Sequence, residues 1–545
     1  NSPKPAAPTE RAPTGSPVAT TMVIARVQLC VGLFLAARSV LSVSVEEQCT
    51  AGAQVGTQAC FAKLKAAADH GDEAAMLQRP LRKSALEKVK QEQLPPPAQQ
   101  SMYDQIGTFA KHVREHNSAG HIPRESYGYC KISDKYACPI NDLRLNSWSI
   151  IDPSEDGSPY SVGVNMKCID SSPFKFKFWR GSSIELLIYL QGGGACWNKW
   201  STQGLSIPFT DISTGPLCST SVESQLGFET GPLNMTNSSN PFRHHSVLYI
   251  PYCSGDGFGG DTVQKYPVQL KNETAPMAVQ KGYRHVLAAV DWLQGNTGFS
   301  QNSKLKDFSL QGCSAGTIGA QVWANTLLNR FAYQNSRVVL DSYAGIFPHD
   351  KQGPILTNWG TCDLSILTPS EQAACRNPKG LFITDLTDTS LSNHSLTRFL
   401  TVNSKVDEVQ RTFYTFTKYD TEAQIIGAFL KHGMAAIEPL DGTVFYKDLN
   451  EKVLQNYGQY DNWQGFLVDG KLHCFNSDDW SEIGGSFYSG PFGHAKDTGT
   501  PEIPVDVAEV YTNPMPYVCE GEKVDPSETG DSTTYCDSNL AGPSQ

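Results

Sequence analysis

Residues 309–317 read SLQGCSAGT and join a short apolar run to an amphipathic segment. Ser314 stands in the pattern Gly-x-Ser-x-Gly, formed with Gly312 and Gly316. In this pattern the chain leaves a strand and turns at once into a helix, which exposes the serine oxygen above the sheet. The pentapeptide alone is a weak indication in a chain with 46 glycines. Its position between a strand pattern and a helix pattern makes Ser314 a candidate nucleophile.

Short apolar runs that end in turns recur on both sides of this stretch. They lie at 184–190 (IELLIYL), 247–252 (VLYIPY), 307–310 (DFSL) and 399–402 (FLTV). Continuous apolar runs without alternation are typical of strands that are covered on both faces, as in a parallel sheet. Apolar residues at spacings of three or four predict helices over 276–294 and after Ser314. The alternation of strands and helices predicts an α/β fold with a mostly parallel central sheet flanked by helices.

The composition is that of an ordinary globular protein, with 39% hydrophobic and 18% charged residues among 545. A chain of this length forms one enlarged domain or two. The net charge of -11 and the pI near 5.6 argue against a nucleic-acid partner. The sequence also has no long Lys/Arg run that would bind an anionic membrane surface. These features favour a neutral or polymeric substrate.

The chain is predicted to divide into five segments. Residues 22–45 carry a cationic residue, an apolar run too short to cross a bilayer and then small residues, which is typical of a cleaved secretory signal. Residues 1–21 lie upstream of this signal and are interpreted as a disordered or non-native extension. Residues 46–130 predict a helical accessory region, residues 131–518 the α/β domain, and residues 519–545 a mobile tail. The protein is therefore expected to be extracellular, with no stable membrane insertion.

The number and spacing of the cysteines agree with the predicted secretion of the protein. Of 15 cysteines, Cys30 lies in the predicted signal and 14 remain, without any Cys-x-x-Cys pair. Tetrahedral metal sites usually show such close pairs, so disulfides are the predicted use, although their connectivity cannot be read from the sequence. Cys313 is interpreted as a packing residue. Glycosylation sequons stand at Asn234, Asn237, Asn272 and Asn393.

A serine hydroxyl needs oxyanion donors and a base before it can act as a nucleophile. Gly193 and Gly194 follow the 184–190 run, at the position where esterases carry oxyanion amides, and the third amide is that of Ala315. The alternatives for these glycines are a turn that needs positive φ or a phosphate loop. No Gly-Lys-Ser/Thr follows them, so the phosphate loop is disfavoured.

The chain order of α/β-hydrolases, serine then acid then histidine, directs the search to residues after Ser314. Asp407 follows the 399–402 run, and His473 follows the apolar run GFLV, so both are predicted at strand ends. The alternatives for the base are His432 and His494. For the acid, Asp341 and Asp420 compete with Asp407.

Over most of residues 150–480 the sequence resembles the pectin acetylesterase/Notum family of extracellular carboxylesterases. The matching segments are, in chain order, DGSP, LLIYLQGGGACWN, YIPYCSGD, KGYRHVLAAVDWL, GCSAG, LDSYAG, SKVDEVQ and FLVDGKLHC. The resemblance implies an α/β-hydrolase-like fold, preceded here by the N-terminal helical extension. It implies a catalytic triad of Ser314, Asp407 and His473 and an oxyanion hole of Gly193, Gly194 and Ala315.

The chain departs from the family near these residues. Gln191 stands where the family usually has Glu, and Ala195 lies near a usual Trp. Gly470 stands where plant members tend to have Cys. Trp197 and Asn198, which follow the glycine run, are predicted to contact the substrate.

The function implied by the resemblance is that of a secreted serine carboxylesterase, acting as a monomer without a metal or organic cofactor. The expected substrate is an O-acetyl ester on a cell-wall polysaccharide such as pectin. The first alternative is a fatty-acyl ester on a secreted protein. A different class of hypothesis is an inactive glycan-binding relative, and a further one is a serine peptidase on the same scaffold.

Overall fold

The structure is a computed structural model that describes residues 104–111, 127–205, 214–223, 225–238, 240–270, 274–299, 304–377, 379–380, 382–468 and 471–475. All of these belong to one compact unit, Pro95–Gln545. The predicted extension 1–21, the signal 22–45 and the tail 519–545 lie outside the described residues. So do Asn272 and most of the accessory region.

The described strands build a central nine-stranded sheet with the order β1-β2-β3-β5-β4-β10-β11-β12-β13. Neighbours are parallel throughout, except that β3 is antiparallel to both β2 and β5. Two small antiparallel pairs, β6 with β9 and β7 with β8, lie outside this sheet. The strand bounds are β1 Gly128–Lys131, β2 Trp148–Asp152, β3 Phe176–Trp179, β4 Glu185–Leu190, β5 Ser246–Ile250, β6 Thr262–Gln264, β7 Val268–Gln269, β8 Thr274–Ala275, β9 Ala278–Gln280, β10 Leu305–Cys313, β11 Tyr333–Asp341, β12 Arg398–Ser404 and β13 Trp463–Val468.

Helices connect the parallel strands, as crossover connections require. The helix bounds are α1 104–111, α2 Lys199–Gln203, α3 Gly282–Thr297, α4 Ala315–Arg330, α5 Gln352–Trp359, α6 Pro369–Cys375, α7 Phe382–Asn393, α8 Glu408–Thr417, α9 Glu422–His432, α10 Gly442–Leu449 and α11 Gln455–Tyr457, with a π-helical turn at Asn450–Leu454. Helices α8 and α9 are capped by the residues before them, Asp407 and Thr421, whose side chains accept hydrogen bonds from amides of the first turn. Among the described helices, none is long and apolar enough to cross a membrane.

The core lies on the faces of the sheet. Every residue from Leu186 to Leu190 is buried, which explains why this run shows no polar alternation. Leu187 and Tyr189 pack with Tyr249 of β5, Val339 of β11 and Leu400 of β12 in one hydrophobic cluster. Burying each such side chain contributes about 1.5–3 kcal/mol relative to exposure.

The predicted α/β-hydrolase-like fold is confirmed, with shifts at the element ends. The helix predicted over 276–294 begins only at Gly282, because Ala278–Gln280 forms β9 and pairs with β6. The sheet begins at Gly128, before the predicted domain start at residue 131. Helix α1 lies in the predicted accessory region, and its Phe109 ring packs against Phe413 of α8.

Candidate active site

Ser314 lies at the turn between β10 and α4. Its backbone has φ 56° and ψ -123°, and a positive φ is rare for a residue with a side chain. The Ser314 amide donates to the Asp341 carbonyl at 3.0 Å, and the Thr317 hydroxyl donates to the same oxygen at 2.6 Å. The neighbouring strand β11 therefore holds this turn in its strained conformation. The turn is called the nucleophile turn below, after the candidate nucleophile Ser314.

Close packing explains the glycines on either side of Ser314. A Cβ atom on Gly316 would overlap the carbonyl oxygen of Leu190, at the end of β4. A Cβ atom on Gly312 would overlap the carbonyl oxygen of Gly316. Because no side chain fits at either position, α4 starts in direct contact with the strand that leads to Gly193 and Gly194.

The predicted oxyanion donors lie beside the nucleophile turn. A Cβ on Gly192 would come within 2.9 Å of Ser314 Cβ. The glycine segment, residues 192–194, therefore packs against the serine. Gly193, Gly194 and Ala315 are buried, and their amides donate to no other residue within the described part of the chain. The Ala315 amide is free because it belongs to the first turn of a helix. Free amides at such a place are suited to a developing oxyanion.

A buried side chain, Gln225, braces the glycine segment. Its Nε2 donates to the Gly192 carbonyl at 3.3 Å and to Ser219 Oγ at 3.0 Å, and its Oε1 accepts from the Tyr252 amide at 2.6 Å. The Ser219 amide in turn donates to the Gly193 carbonyl at 2.8 Å. Sequence reasoning missed Gln225, because a single glutamine in a loop carries no pattern.

The acid and base candidates meet at the same edge of the sheet. Strands β10, β12 and β13 are parallel in the sheet, so Ser314, Asp407 and His473 all follow carboxyl ends of strands. Asp407 Oδ2 lies 2.8 Å from His473 Nδ1. Asp407 is fully buried, and His473 is 8% exposed. With Asp407 ionised, Nδ1 carries the proton and donates it, which leaves Nε2 as the acceptor.

Gln410 holds the carboxylate of Asp407. Its backbone amide donates to Asp407 Oδ1 at 2.9 Å, and its side-chain Nε2 donates to Asp407 Oδ2, also at 2.9 Å. The same Nε2 donates to Asn403 Oδ1 at 2.7 Å, and Oε1 accepts from the Ala344 amide at 3.0 Å. Its position three residues after the helix-capping Asp407 is a sequence feature that could have identified it.

A disulfide brings the segment of His473 beside the nucleophile turn. Cys474 is bonded to Cys313, with the two Cα atoms 5.6 Å apart, and these cysteines directly adjoin His473 and Ser314. Cys313 is therefore a cross-linking residue, which corrects its interpretation as a packing residue. His473 Nε2 is buried and has no hydrogen-bond partner among the described residues. Catalytic hydrogen bonds to such a nitrogen often form only when substrate is bound.

The other candidates for the acid and the base either have other partners or are exposed, where the structure describes them. The Asp341 carboxylate accepts from the Ser342 hydroxyl at 2.6 Å and from the Phe475 amide at 3.2 Å. Asp420 is exposed and pairs with Lys351 at 2.8 Å. His432 is exposed in the last turn of α9. His494 lies outside the described residues.

Trp197 and Asn198, predicted to contact substrate, are largely engaged with the protein. The ring of Trp197 is buried and makes edge-to-face contacts with Trp200 at 5.4 Å and Phe413 at 6.0 Å. Asn198 caps α2 by accepting from the Ser201 amide at 3.0 Å. Its Nδ2 donates to the Asp420 carbonyl at 3.0 Å. Their assignment to the substrate stays a prediction.

The described residues contain five disulfides, which is the use predicted for the cysteines. The pairs are Cys130–Cys138, Cys168–Cys253, Cys196–Cys218, Cys313–Cys474 and Cys362–Cys375. Among the sequons, Asn393 is exposed, whereas Asn234 and Asn237 are half-buried. Their glycosylation stays a prediction.

Two comparisons with known proteins agree with this architecture. The family model described as Pectinacetylesterase matches residues 161–372, a range that includes Gly193 and Ser314 and ends before Asp407. A protein of Schmidtea mediterranea named Palmitoleoyl-protein carboxylesterase NOTUM is 29% identical to the chain over 181 residues. This match covers 32% of the chain and 31% of the relative, so the chain spans about a third of the relative's length. Over these ranges the chain is therefore similar to the pectin acetylesterase/Notum family.

Proposed function

We propose that the protein is a secreted serine carboxylesterase in which Ser314, His473 and Asp407 form the catalytic triad. The observation that carries the proposal is the hydrogen bond of 2.8 Å between Asp407 and His473 Nδ1. The other ring nitrogen, Nε2, has no partner in the described part of the chain. The disulfide Cys313–Cys474 links the residue after His473 to the residue before Ser314. The family match and the carboxylesterase name of the relative support ester hydrolysis.

In the proposed mechanism, Ser314 Oγ attacks the acyl carbon of the ester while His473 Nε2 takes the hydroxyl proton. The negative charge that develops on the carbonyl oxygen is stabilised by the amides of Gly193, Gly194 and Ala315. The imidazolium then donates its proton to the leaving alcohol, which releases it and leaves an acyl-enzyme. Water, deprotonated by the same imidazole, then attacks the acyl carbon. The imidazolium returns this proton to Ser314 Oγ as the bond to the acyl carbon breaks, which releases the carboxylic acid and the free serine. Asp407 holds the imidazole tautomer and stabilises the imidazolium.

The proposed extracellular location is supported by the disulfides. Disulfides form and persist in oxidising compartments, and five are present among the described residues. The predicted signal at residues 22–45 lies outside the described residues, so its cleavage stays a prediction. Amino-terminal sequencing of protein secreted from a eukaryotic host tests it, and a mature terminus near residue 46 is expected.

The proposed substrate is an O-acetyl ester on a cell-wall polysaccharide such as pectin, supported by the name of the family model. A fatty-acyl ester on a protein is the second candidate, because the relative is named for palmitoleoyl-protein. The two candidates require different pockets, since an acyl chain needs a deep apolar site and a glycan an open polar groove. A series of p-nitrophenyl esters separates them. Preference for acetyl supports the glycan, and preference for eight or more carbons overturns it.

Active-site labelling tests the serine mechanism itself. A fluorophosphonate probe is expected to label the wild type and not Ser314→Ala. Because triad members act as a unit, His473→Ala should lose nearly all turnover as well. Folded wild-type protein that neither reacts with the probe nor cleaves p-nitrophenyl acetate would support the glycan-binding hypothesis instead. Faster cleavage of peptides than of esters would support a peptidase.

A further inference from the structure

The segment that carries His473 is tied directly to the nucleophile turn. Cys474 is cross-linked to Cys313, and its amide donates to Ser342 Oγ at 2.8 Å. The next amide, of Phe475, donates to Asp341 Oδ1 at 3.2 Å. We propose that Asp341 and the Cys313–Cys474 disulfide are positioning groups, which set the distance between the catalytic base and the nucleophile. This inference rests on the proposed function, because it assigns the roles of base and nucleophile to His473 and Ser314.

Asp341 contacts both partners at once. Its carbonyl oxygen accepts from the Ser314 amide, and so fixes the nucleophile turn. Its carboxylate accepts from Ser342 Oγ at 2.6 Å and from the Phe475 amide, and so fixes the segment of the base. Asp341 is fully buried at the end of β11, between β10 and β12. One residue of the sheet therefore connects the two reacting groups over a short and rigid path.

The backbone around these contacts is strained on both sides. Ser342 has φ 57° and Cys474 has φ 68°, and non-glycine residues adopt such values only when their surroundings impose them. The hydrogen bond between the Cys474 amide and Ser342 Oγ joins the two strained residues. Strained residues that contact each other beside a candidate nucleophile indicate a segment held for function.

Positioning of this kind has a specific kinetic consequence. Proton transfer from Ser314 needs His473 Nε2 within hydrogen-bonding distance, and a displacement of about 1 Å costs on the order of 100-fold in rate. Substrate affinity does not depend on that distance. A positioning role therefore predicts a fall in kcat with little change in KM, whereas a general loss of folded protein lowers the amount of active enzyme and leaves the kcat of each labelled site unchanged.

The first test compares Asp341→Ala with Asp341→Asn on p-nitrophenyl acetate, with active sites counted by the fluorophosphonate probe. Asparagine keeps the volume and an oxygen acceptor for the Phe475 amide, so it should rescue most of the activity. We expect kcat per site to fall about 100-fold in Asp341→Ala, with KM within about twofold of wild type. Ser342→Ala should show a smaller fall in the same direction, which covers the case in which Asp341→Ala does not fold.

Two results would overturn the inference while leaving the proposed function intact. The first is wild-type kcat in folded Asp341→Ala. The second is an Asp341→Asn variant as inactive as Asp341→Ala, which would show that an oxygen acceptor for the Phe475 amide does not restore activity. Wild-type protein that neither turns over ester nor labels at Ser314 would overturn the proposed function itself, and this inference with it.

The second test addresses the disulfide in the wild-type chain. Graded reduction, followed by alkylation and mass mapping, gives the fraction of each cysteine pair that is open. Activity is expected to fall in proportion to the fraction of open Cys313–Cys474 pairs, as measured by alkylation. Reduced protein that has not been alkylated should regain its activity on reoxidation. The control is Cys130→Ala/Cys138→Ala, which removes the disulfide of β1 at the far edge of the sheet and should leave kcat unchanged. Full activity in protein alkylated at Cys313 and Cys474 would exclude a positioning role for this disulfide.

Discussion

Among single residues, Gln410 supplies an amide side chain that contacts Asp407, the proposed catalytic acid. Gln410 Nε2 donates to Asp407 Oδ2, the oxygen that also faces His473. We expect Gln410→Ala to lower kcat about tenfold, because a hydrogen bond to a charged group contributes roughly 1.5–3 kcal/mol. KM should stay unchanged in assays with p-nitrophenyl acetate.

Two further variants define the cause of that loss. Gln410→Glu places a second carboxylate against Asp407 and should lower kcat more than Gln410→Ala does. Gln372→Ala removes a half-buried glutamine that donates to the Leu364 carbonyl, and should behave as wild type. Wild-type activity in both the Ala and the Glu variant would show that Gln410 does not orient Asp407.

A buried histidine makes stability depend on pH. His285 of α3 stacks on Phe174 with ring centroids 3.9 Å apart, and burial lowers its pKa to about 3 from 6.5. Its Nε2 lies 3.0 Å from the Lys167 carbonyl, while Nδ1 is buried without a partner among the described residues. The unfolded chain takes up a proton below pH 6.5 and the folded chain does not, so folding stability falls as the pH drops from 6.5 toward 3.

Urea unfolding at about pH 7.5 and about pH 5 measures this loss. His285 should contribute about 2 kcal/mol of it at the lower pH. His285→Phe keeps the ring stack but does not titrate, so the difference between the two pH values should shrink by that amount. His244→Phe, at an exposed histidine, should leave the difference unchanged. The same pH dependence in His285→Phe and wild type would contradict the assignment.

Among the elements, helix α1 contacts α8 through the aromatic ring of Phe109. Phe109 packs edge-to-face on Phe413 at 5.4 Å and on Phe416 at 5.5 Å, both on α8. Such pairs contribute about 0.5–1.5 kcal/mol each beyond the buried area. Phe109→Ala should therefore raise amide hydrogen exchange in residues 104–111 and leave the exchange of β10 and β11 unchanged. Thr108→Ala, at an exposed position of the same helix, is the matched control. Unchanged exchange in 104–111 would show that other contacts hold α1.

Strands β4, β5, β10 and β12 were predictable from the sequence, and the cross-links between distant segments were not. The run 184–190 predicts β4 because a strand buried on both faces must be continuously apolar, and the structure has Glu185–Leu190. Gln225 acts through hydrogen bonds between distant segments, and such bonds leave no periodic pattern. The pairing of Cys313 with Cys474 depends on the order of strands in the sheet, which spacing in the sequence does not give.

At the scale of the whole molecule, the disulfides differ in the length of chain that they close. The Cys313–Cys474 link spans 161 residues, whereas the Cys130–Cys138 link spans 8. Loop-closure entropy predicts about 5 kcal/mol of stabilisation for the long link and about 2.5 kcal/mol for the short one. Urea unfolding of Cys313→Ala/Cys474→Ala and of Cys130→Ala/Cys138→Ala measures the two values. A larger loss for the short link would contradict the entropic estimate.

Formation of the Cys313–Cys474 disulfide also reports on the progress of folding. In the folded chain Cys313 ends β10 and Cys474 follows β13, and β11, β12 and β13 lie in order beside β10. We therefore expect the stable bond of this pair to form once β13 has docked. Bond formation at this pair thus marks the moment at which the last parallel strand is docked. Timed thiol trapping during refolding would read that moment directly, and esterase activity should not precede it.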